Sequence, residues 1–200
     1  MISPRGRYST VASVRRGGYE PMMALPVIRT ERLVLRERTL DDLELCVAMD
    51  DDPEVRRFIV LPMQGDMHRA FIRGRMMHRY PEHLGYWSVL ADGKFAGWIL
   101  LIPRELEGPE IEIGWRFVAE ARGKGYATEA AAAVLRHALT TAGLTDVIAD
   151  IDPENAASRR VAEKLGMRQV KTWLDAGRPT MRYVLSATTK ARNVRTPSST

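Results

Sequence analysis

Apolar residues recur with two different periods along the chain. Residues 111–117 alternate, which places Ile111, Ile113, Trp115 and Phe117 on one face of a strand. An alanine-rich run over 129–139 follows almost at once, and its composition favours helix strongly. Upstream, residues 29–37 read as the first strand, with Leu33 and Leu35 in alternation. Thr39 and Asp42 have the spacing of a capping box and open a helix that runs to Met49. The break Asp50-Asp51-Asp52-Pro53 precedes a short helix over 54–59 and a second helical run over 66–80, with Phe71, Ile72, Met76 and Met77 near one face. Residues 86–91 and 95–102 read as strands around the hairpin signal Asp92-Gly93. Beyond a loop at 103–109 and the strand and helix already named, Gly143 closes the long helix. A buried strand over 147–151 follows, then a helix over 156–165 that stops at Gly166, and two closing strands over 170–174 and 181–185 joined across Ala176-Gly177. A hairpin-rich first half and a strand-helix-strand-helix second half predict an α/β (α+β) sheet covered by helices, not a doubly wound fold.

Length and composition set bounds on this picture. Two hundred residues suit one domain, expected over 27–186, between a flexible basic extension at 1–26 and a tail at 187–200. No apolar run approaches a membrane span and no secretory leader is legible, so a cytoplasmic protein with no membrane partner is expected. Much of the net charge of +5 sits in the two ends, at Arg5, Arg7, Arg15, Arg16, Lys190, Arg192 and Arg195. Without an aromatic-interleaved basic motif these read as solvated tails, and a nucleic-acid partner is not expected. Cys46, the single cysteine, excludes an intrachain disulfide and any zinc site built on paired cysteines; its place between Leu45 and Val47 reads as core. His68, His78 and His83 lack metal-ligand spacing, so no metal is expected.

The chemistry concentrates between the strand over 111–117 and its helix. The first amides of a helix lack carbonyl partners and carry the positive end of the dipole, so an anion placed there is held by backbone donors. Gly123 and Gly125 allow close approach of a phosphate ester, and Arg122 and Lys124 add positive charge. A Walker A loop is excluded, because Gly125 follows Lys124 and position 119 is alanine. A dinucleotide fingerprint would want glycine or alanine where Thr128 stands. A nicotinamide-dependent oxidoreductase and a plain helix cap both stay open on these residues alone.

The pattern Arg122-x-x-Gly125-x-Ala127 resembles the pyrophosphate loop of the GCN5-related N-acetyltransferases (GNAT). Glu112-Ile113-Gly114-Trp115, Gly123 through Ala130, Thr30 through Arg36 and Glu163-Lys164-Leu165-Gly166-Met167 resemble the branch that acetylates ribosomal-protein N-termini. The resemblance implies a mixed, mainly antiparallel central sheet with helices on both faces and a splayed strand pair in the middle. It implies acetyl-CoA as co-substrate, no metal, and an amine acceptor, either a protein N-terminus or a small amine; a homodimer is common among relatives. By the same resemblance Arg122, Gly123, Lys124, Gly125, Tyr126, Ala127 and Thr128 would take the pyrophosphate. Trp115, Phe117, Val118 and Asn155 would take the pantetheine arm. Ser158 would face the thioester sulfur, and Glu112 would act as general base on the amine, with Asp150 and Asp152 as weaker candidates. Asn155 is also a good helix cap in any protein. The chain departs from many relatives at Ala162, where a tyrosine acid often stands, and this keeps a non-catalytic acyl-CoA-binding module open as an alternative.

Overall fold

The computed structural model describes residues 24–58 and 63–187. Among these residues eight strands form one sheet in the order β1-β2-β3-β4-β5-β6-β8-β7. They are β1 (Ile28–Arg29), β2 (Leu33–Glu37), β3 (Gly85–Ala91), β4 (Lys94–Pro103), β5 (Ile111–Phe117), β6 (Asp146–Ile151), β7 (Arg168–Asp175) and β8 (Arg178–Ser186). Among the described residues there are also five α-helices: α1 (Leu43–Asp51), α2 (Pro53–Arg56), α3 (Gly65–Met77), α4 (Tyr126–Thr140) and α5 (Ala156–Lys164). The sheet is mixed and mainly antiparallel, as expected. Every neighbouring pair is antiparallel except β5 and β6.

Strand alternation divides the side chains between two cores. One face carries Leu35, Trp87, Ile99, Ile113, Val147 and Tyr183, which pack with Val134 and Ala138 of α4 and Ala162 of α5. The opposite face carries Tyr86, Trp98 and Ile102 against Cys46 and Met49 of α1 and Ile72 of α3. Burial of these side chains at about 1.5–3 kcal/mol each is the main stabilising term, and it fixes which residues of β5 turn toward which helices.

Three expectations need correction. Residues 29–37 are not one strand. Thr30 exchanges hydrogen bonds with Leu33: its amide donates to the Leu33 carbonyl at 3.0 Å and its hydroxyl accepts from the Leu33 amide at 3.0 Å. That turn folds β1 back antiparallel on β2, with Ile28 opposite Leu35. Packing also begins before residue 27: Leu25 packs against the core and the Pro26 carbonyl accepts from Trp87 Nε1 at 3.0 Å. Residues 1–23, 188–200 and Ile59 lie outside the described residues, so most of the expected extension and tail falls there. The helix expected over 66–80 ends at Met77, because His78 is extended.

Candidate active site

β5 and β6 touch at a single register pair, Glu112 opposite Ile148. Beyond that rung they diverge, and backbone groups of both strands that would otherwise pair face an opening. Parallel neighbours in an unbroken sheet would continue the ladder. The opening is part of a cavity of about 950 Å³ that runs from the α1 and α3 side of the sheet to the start of α4.

One end of the cavity is the turn before α4. Gly125 is the N-cap, with φ +81°, a left-handed conformation that glycine reaches without strain. The first intrahelical bond runs from the Glu129 amide to the Gly125 carbonyl at 3.1 Å, so the amides of Tyr126, Ala127 and Thr128 are the orphan donors of the helix end. A buttress holds this turn. Glu129 accepts from the Thr30 hydroxyl at 2.6 Å, the Arg32 amide at 3.0 Å and Arg32 Nε at 2.7 Å, while Arg32 Nη1 donates to the Lys124 carbonyl at 2.9 Å. Burial pushes the Glu129 carboxyl up, but these donors outweigh it and hold it below its ordinary range. Arg122 reaches backward: Nε donates to the Phe117 carbonyl at 3.1 Å and Nη2 to Asp52 at 2.6 Å.

The middle of the cavity is the strand split. Trp115 Nε1 donates to Ser158 Oγ at 3.3 Å, so the indole bridges β5 to the first turn of α5. Asn155 caps that helix, its Oδ1 accepting from the Ser158 amide at 3.0 Å. Asn155 also lines the cavity. At the root of the split stands Glu112, half-buried, its carboxyl pushed up to about 7 by burial and then by the negative charge of Asp150, against the pull of Arg104, Arg182 and Arg75. Asp150 is differently placed. Its two oxygens are committed to Arg182 Nε at 2.8 Å, Arg182 Nη2 at 2.8 Å and Arg104 Nε at 3.0 Å, which leaves it a structural anion.

The sequence-selected residues therefore converge. Glu112, Trp115, Phe117, Arg122, Gly123, Gly125, Tyr126, Ala127, Thr128, Asn155 and Ser158 all line the one cavity. Two do not: Val118 packs against both cores, and Lys124 is exposed and joins through its carbonyl alone. Ala162 is 0% exposed and belongs to the core. The acidic run before α2 is not a free negative patch. Asp50 pairs with Arg116 at 2.5 Å and with His68 at 3.2 Å, Asp51 with Arg56 at 2.7 Å and Asp52 with Arg122. Sequence reasoning missed Arg32 and Arg116, whose partners come from distant elements and leave no local spacing, and Arg38 and Arg75, which no motif singled out.

A strand pair that parts beside a glycine-led helix start is the arrangement that resemblance to acyl-CoA-dependent transferases implies. Comparison with known proteins agrees: the model of the acetyltransferase (GNAT) domain matches residues 32–168. The chain belongs to the GNAT acetyltransferase family and is an acetyl-CoA-dependent N-acetyltransferase. It is similar to YkkB of Bacillus subtilis (strain 168), 39% identical over 155 residues that cover 76% of this chain and 90% of that protein. Among solved structures it is similar to an acetyltransferase of the GNAT family from Bacillus anthracis, with 27% identity, a TM-score of 0.69, and coverage of 80% of this chain and 98% of that one. It also resembles Mycobacterium smegmatis RimJ in complex with CoA-disulfide, at 19% identity and a TM-score of 0.66, over 84% of this chain and 90% of that one. These matches favour neither the nicotinamide-dependent reading nor the non-catalytic one.

Proposed function

We propose that the chain acetylates a primary amine by direct attack within a ternary complex, with Glu112 as general base and Ser158 beside the sulfur. The observation that carries this reading is the single β5–β6 rung with Glu112 on it. In this reading the orphan amides of Tyr126, Ala127 and Thr128 receive the pyrophosphate, and the parted edges of β5 and β6 receive the pantetheine arm as a further strand. The thioester then lies beside Trp115 and Ser158. An amine arriving from the α1 and α3 side meets Glu112, which at about 7 is matched to proton transfer near neutrality. The amine nitrogen bonds to the thioester carbonyl carbon while its proton passes to Glu112 directly or through water. A backbone amide of the parted β5 stabilises the oxyanion. The carbon–sulfur bond then breaks, and the thiolate takes a proton from solvent or from the Ser158 hydroxyl.

The test is calorimetric and kinetic. Gly125→Val forces a β-branched residue to φ +81° and brings a Cβ within 3.4 Å of Arg32 Nη2. Left-handed geometry costs such a residue at least about 1–2 kcal/mol, so acetyl-CoA affinity is expected to fall about tenfold or more while the circular dichroism spectrum persists. Unchanged affinity would remove the helix start from the site. Thiol release that depends on added amine separates an enzyme from a binding module.

A further inference from the structure

The acceptor end of the cavity holds a cation with no paired carboxylate among the described residues. Arg38 follows β2 directly, its amide donating to the Tyr86 carbonyl at 2.9 Å. Its guanidinium lies on the Tyr86 ring, 3.6 Å from the centroid, with Trp98 at 5.8 Å. The side chain lines the cavity although the residue is only 7% exposed, and its Nε and Nη2 are buried with no hydrogen-bond partner. Nη1 of Arg75, on α3 and lining the same cavity, is also buried and unpartnered.

Other arginines around this face have acids: Arg36 pairs with Asp42 at 2.7 Å, Arg116 with Asp50 at 2.5 Å, and Arg104 and Arg182 with Asp150 at 3.0 and 2.8 Å. Among the described residues no carboxylate pairs with Arg38. Asp42 and Asp50 are nearby but already taken. Cys46 supplies no negative charge either, because burial pushes its thiol up to about 11 against the attraction of Arg38 and a side-chain hydrogen bond with it. A guanidinium cannot shed its proton at any ordinary pH, and each buried donor without a partner carries an unrecovered desolvation cost. Such a group is retained where something arrives to satisfy it.

The shape of the empty donor edge says what arrives. Nε and Nη2 form one side of the guanidinium plane, which offers two parallel N–H groups. Arg182 presents the same edge, and there the two oxygens of Asp150 accept from Nε and Nη2, both at 2.8 Å. We propose that the acceptor carries a carboxylate as well as its amine, and that Arg38, assisted by Arg75, binds that carboxylate while the amine is presented to Glu112. The substrate class is then amino acids and other small amines bearing a carboxylate. Polyamines and aminoglycosides would bring positive charge to an unpaired buried cation. The assignment rests on the acetyl-transfer reading of the same cavity.

The experiment compares matched acceptors on the full-length protein with acetyl-CoA. Glycine, β-alanine, 4-aminobutanoate and 6-aminohexanoate are each set against the alkylamine that lacks the carboxylate, and L-alanine against its amide. At least one carboxylate-bearing acceptor is expected to exceed its partner in kcat/KM by about 100-fold, since a site built for a polar group rejects the analogue lacking it. Arg38→Met should collapse that ratio to near unity, mostly through KM, with acetyl-CoA affinity by calorimetry unchanged. Should Arg38→Met fail to fold, Arg75→Gln, at the less buried partner, is expected to reduce the ratio about tenfold. A ratio near unity across the whole series, or one that survives both variants, overturns the proposal. If no amine releases thiol, the acetyl-transfer reading has failed separately. Direct titration with 6-aminohexanoate then decides: heat that Arg75→Gln abolishes supports the anion site, and no heat overturns it.

Discussion

Glu112 is a carboxyl whose surroundings disfavour its charge, and the consequences run in two directions. Its folded value of about 7 lies above the ordinary range near 4.5, so the native state holds this proton after the unfolded chain has lost it. Stability is therefore drained as pH rises from about 4.5 to about 7, and the loss is complete above that. Glu112→Gln removes the penalty. The melting temperature of the variant relative to the parent is expected to be level near pH 4 and to gain steadily toward pH 8; a pH-independent difference would place the carboxyl in water. As the proposed base, Glu112 should also set an ascending limb in kcat/KM near pH 7, and the variant should lose about 10²–10⁴ in rate and that limb together. Its neighbour Asp150 belongs to the framework instead, because two guanidiniums hold it. The family resemblance ranked Glu112 above Asp150; composition and spacing alone did not. Glu112 and Asp150 both sit on or beside the central strands, and the pairing of Asp150 with Arg104 and Arg182, brought from 46 and 32 residues away, tells them apart.

At the scale of elements, contiguity decided what could be read. β5, the glycine turn and α4 are consecutive, so the turn's chemistry was legible as a string, as were Asn155 and Ser158 at the head of α5. The capping box was legible too: Thr39 and Asp42 bond reciprocally at the start of a 3-10 turn, Leu40–Asp42, that leads into α1. The sequence did not indicate that Asp42 also joins β2 to β3. It is 2% exposed and accepts from Arg36 at 2.7 and 2.8 Å, from the Ser88 hydroxyl at 2.8 Å and from the Thr39 amide at 3.1 Å. Burial raises its carboxyl, and the four donors more than reverse that, so its folded pKa lies below the ordinary value. The stabilisation is present above about pH 4 and lost as pH falls through the depressed value. Asp42→Asn should cost about 2 kcal/mol or more at neutral pH in urea titration, and the deficit should shrink near pH 3. A deficit of equal size at both values would make the effect one of shape, not charge. The β1–β2 reversal escaped the sequence for a related reason: it is made by one threonine side chain within an otherwise strand-like run.

The whole molecule is a sheet whose two parts meet along one strand boundary. β1 to β5 form one ladder, β6 to β8 another, and Glu112–Ile148 is the rung between them. No periodicity announces such an opening, since it depends on where two strands paired through residues 36 positions apart stop pairing. Acetyl-CoA bound in the opening should complete the missing bonds. Amide exchange at Trp115, Phe117 and Asp150, whose amides face the opening, is expected to slow on addition of acetyl-CoA, with Arg116, already paired to β4, and other strands little changed. At about 100 times Kd the ligand should add about 2.7 kcal/mol to the unfolding free energy. Protection confined to α4 would mean that the opening is not occupied.

The same boundary also partitions labour along the chain. The side chains proposed to choose the acceptor, Arg38 and Arg75 among them, all precede Ile111, whereas the glycine turn, Asn155 and Ser158 all follow it. A lineage built on this plan can exchange its amine by editing the front of the gene and leave the coenzyme grip untouched. Hybrids spliced just ahead of β5 should inherit the acceptor preference of whichever parent donates the leading half.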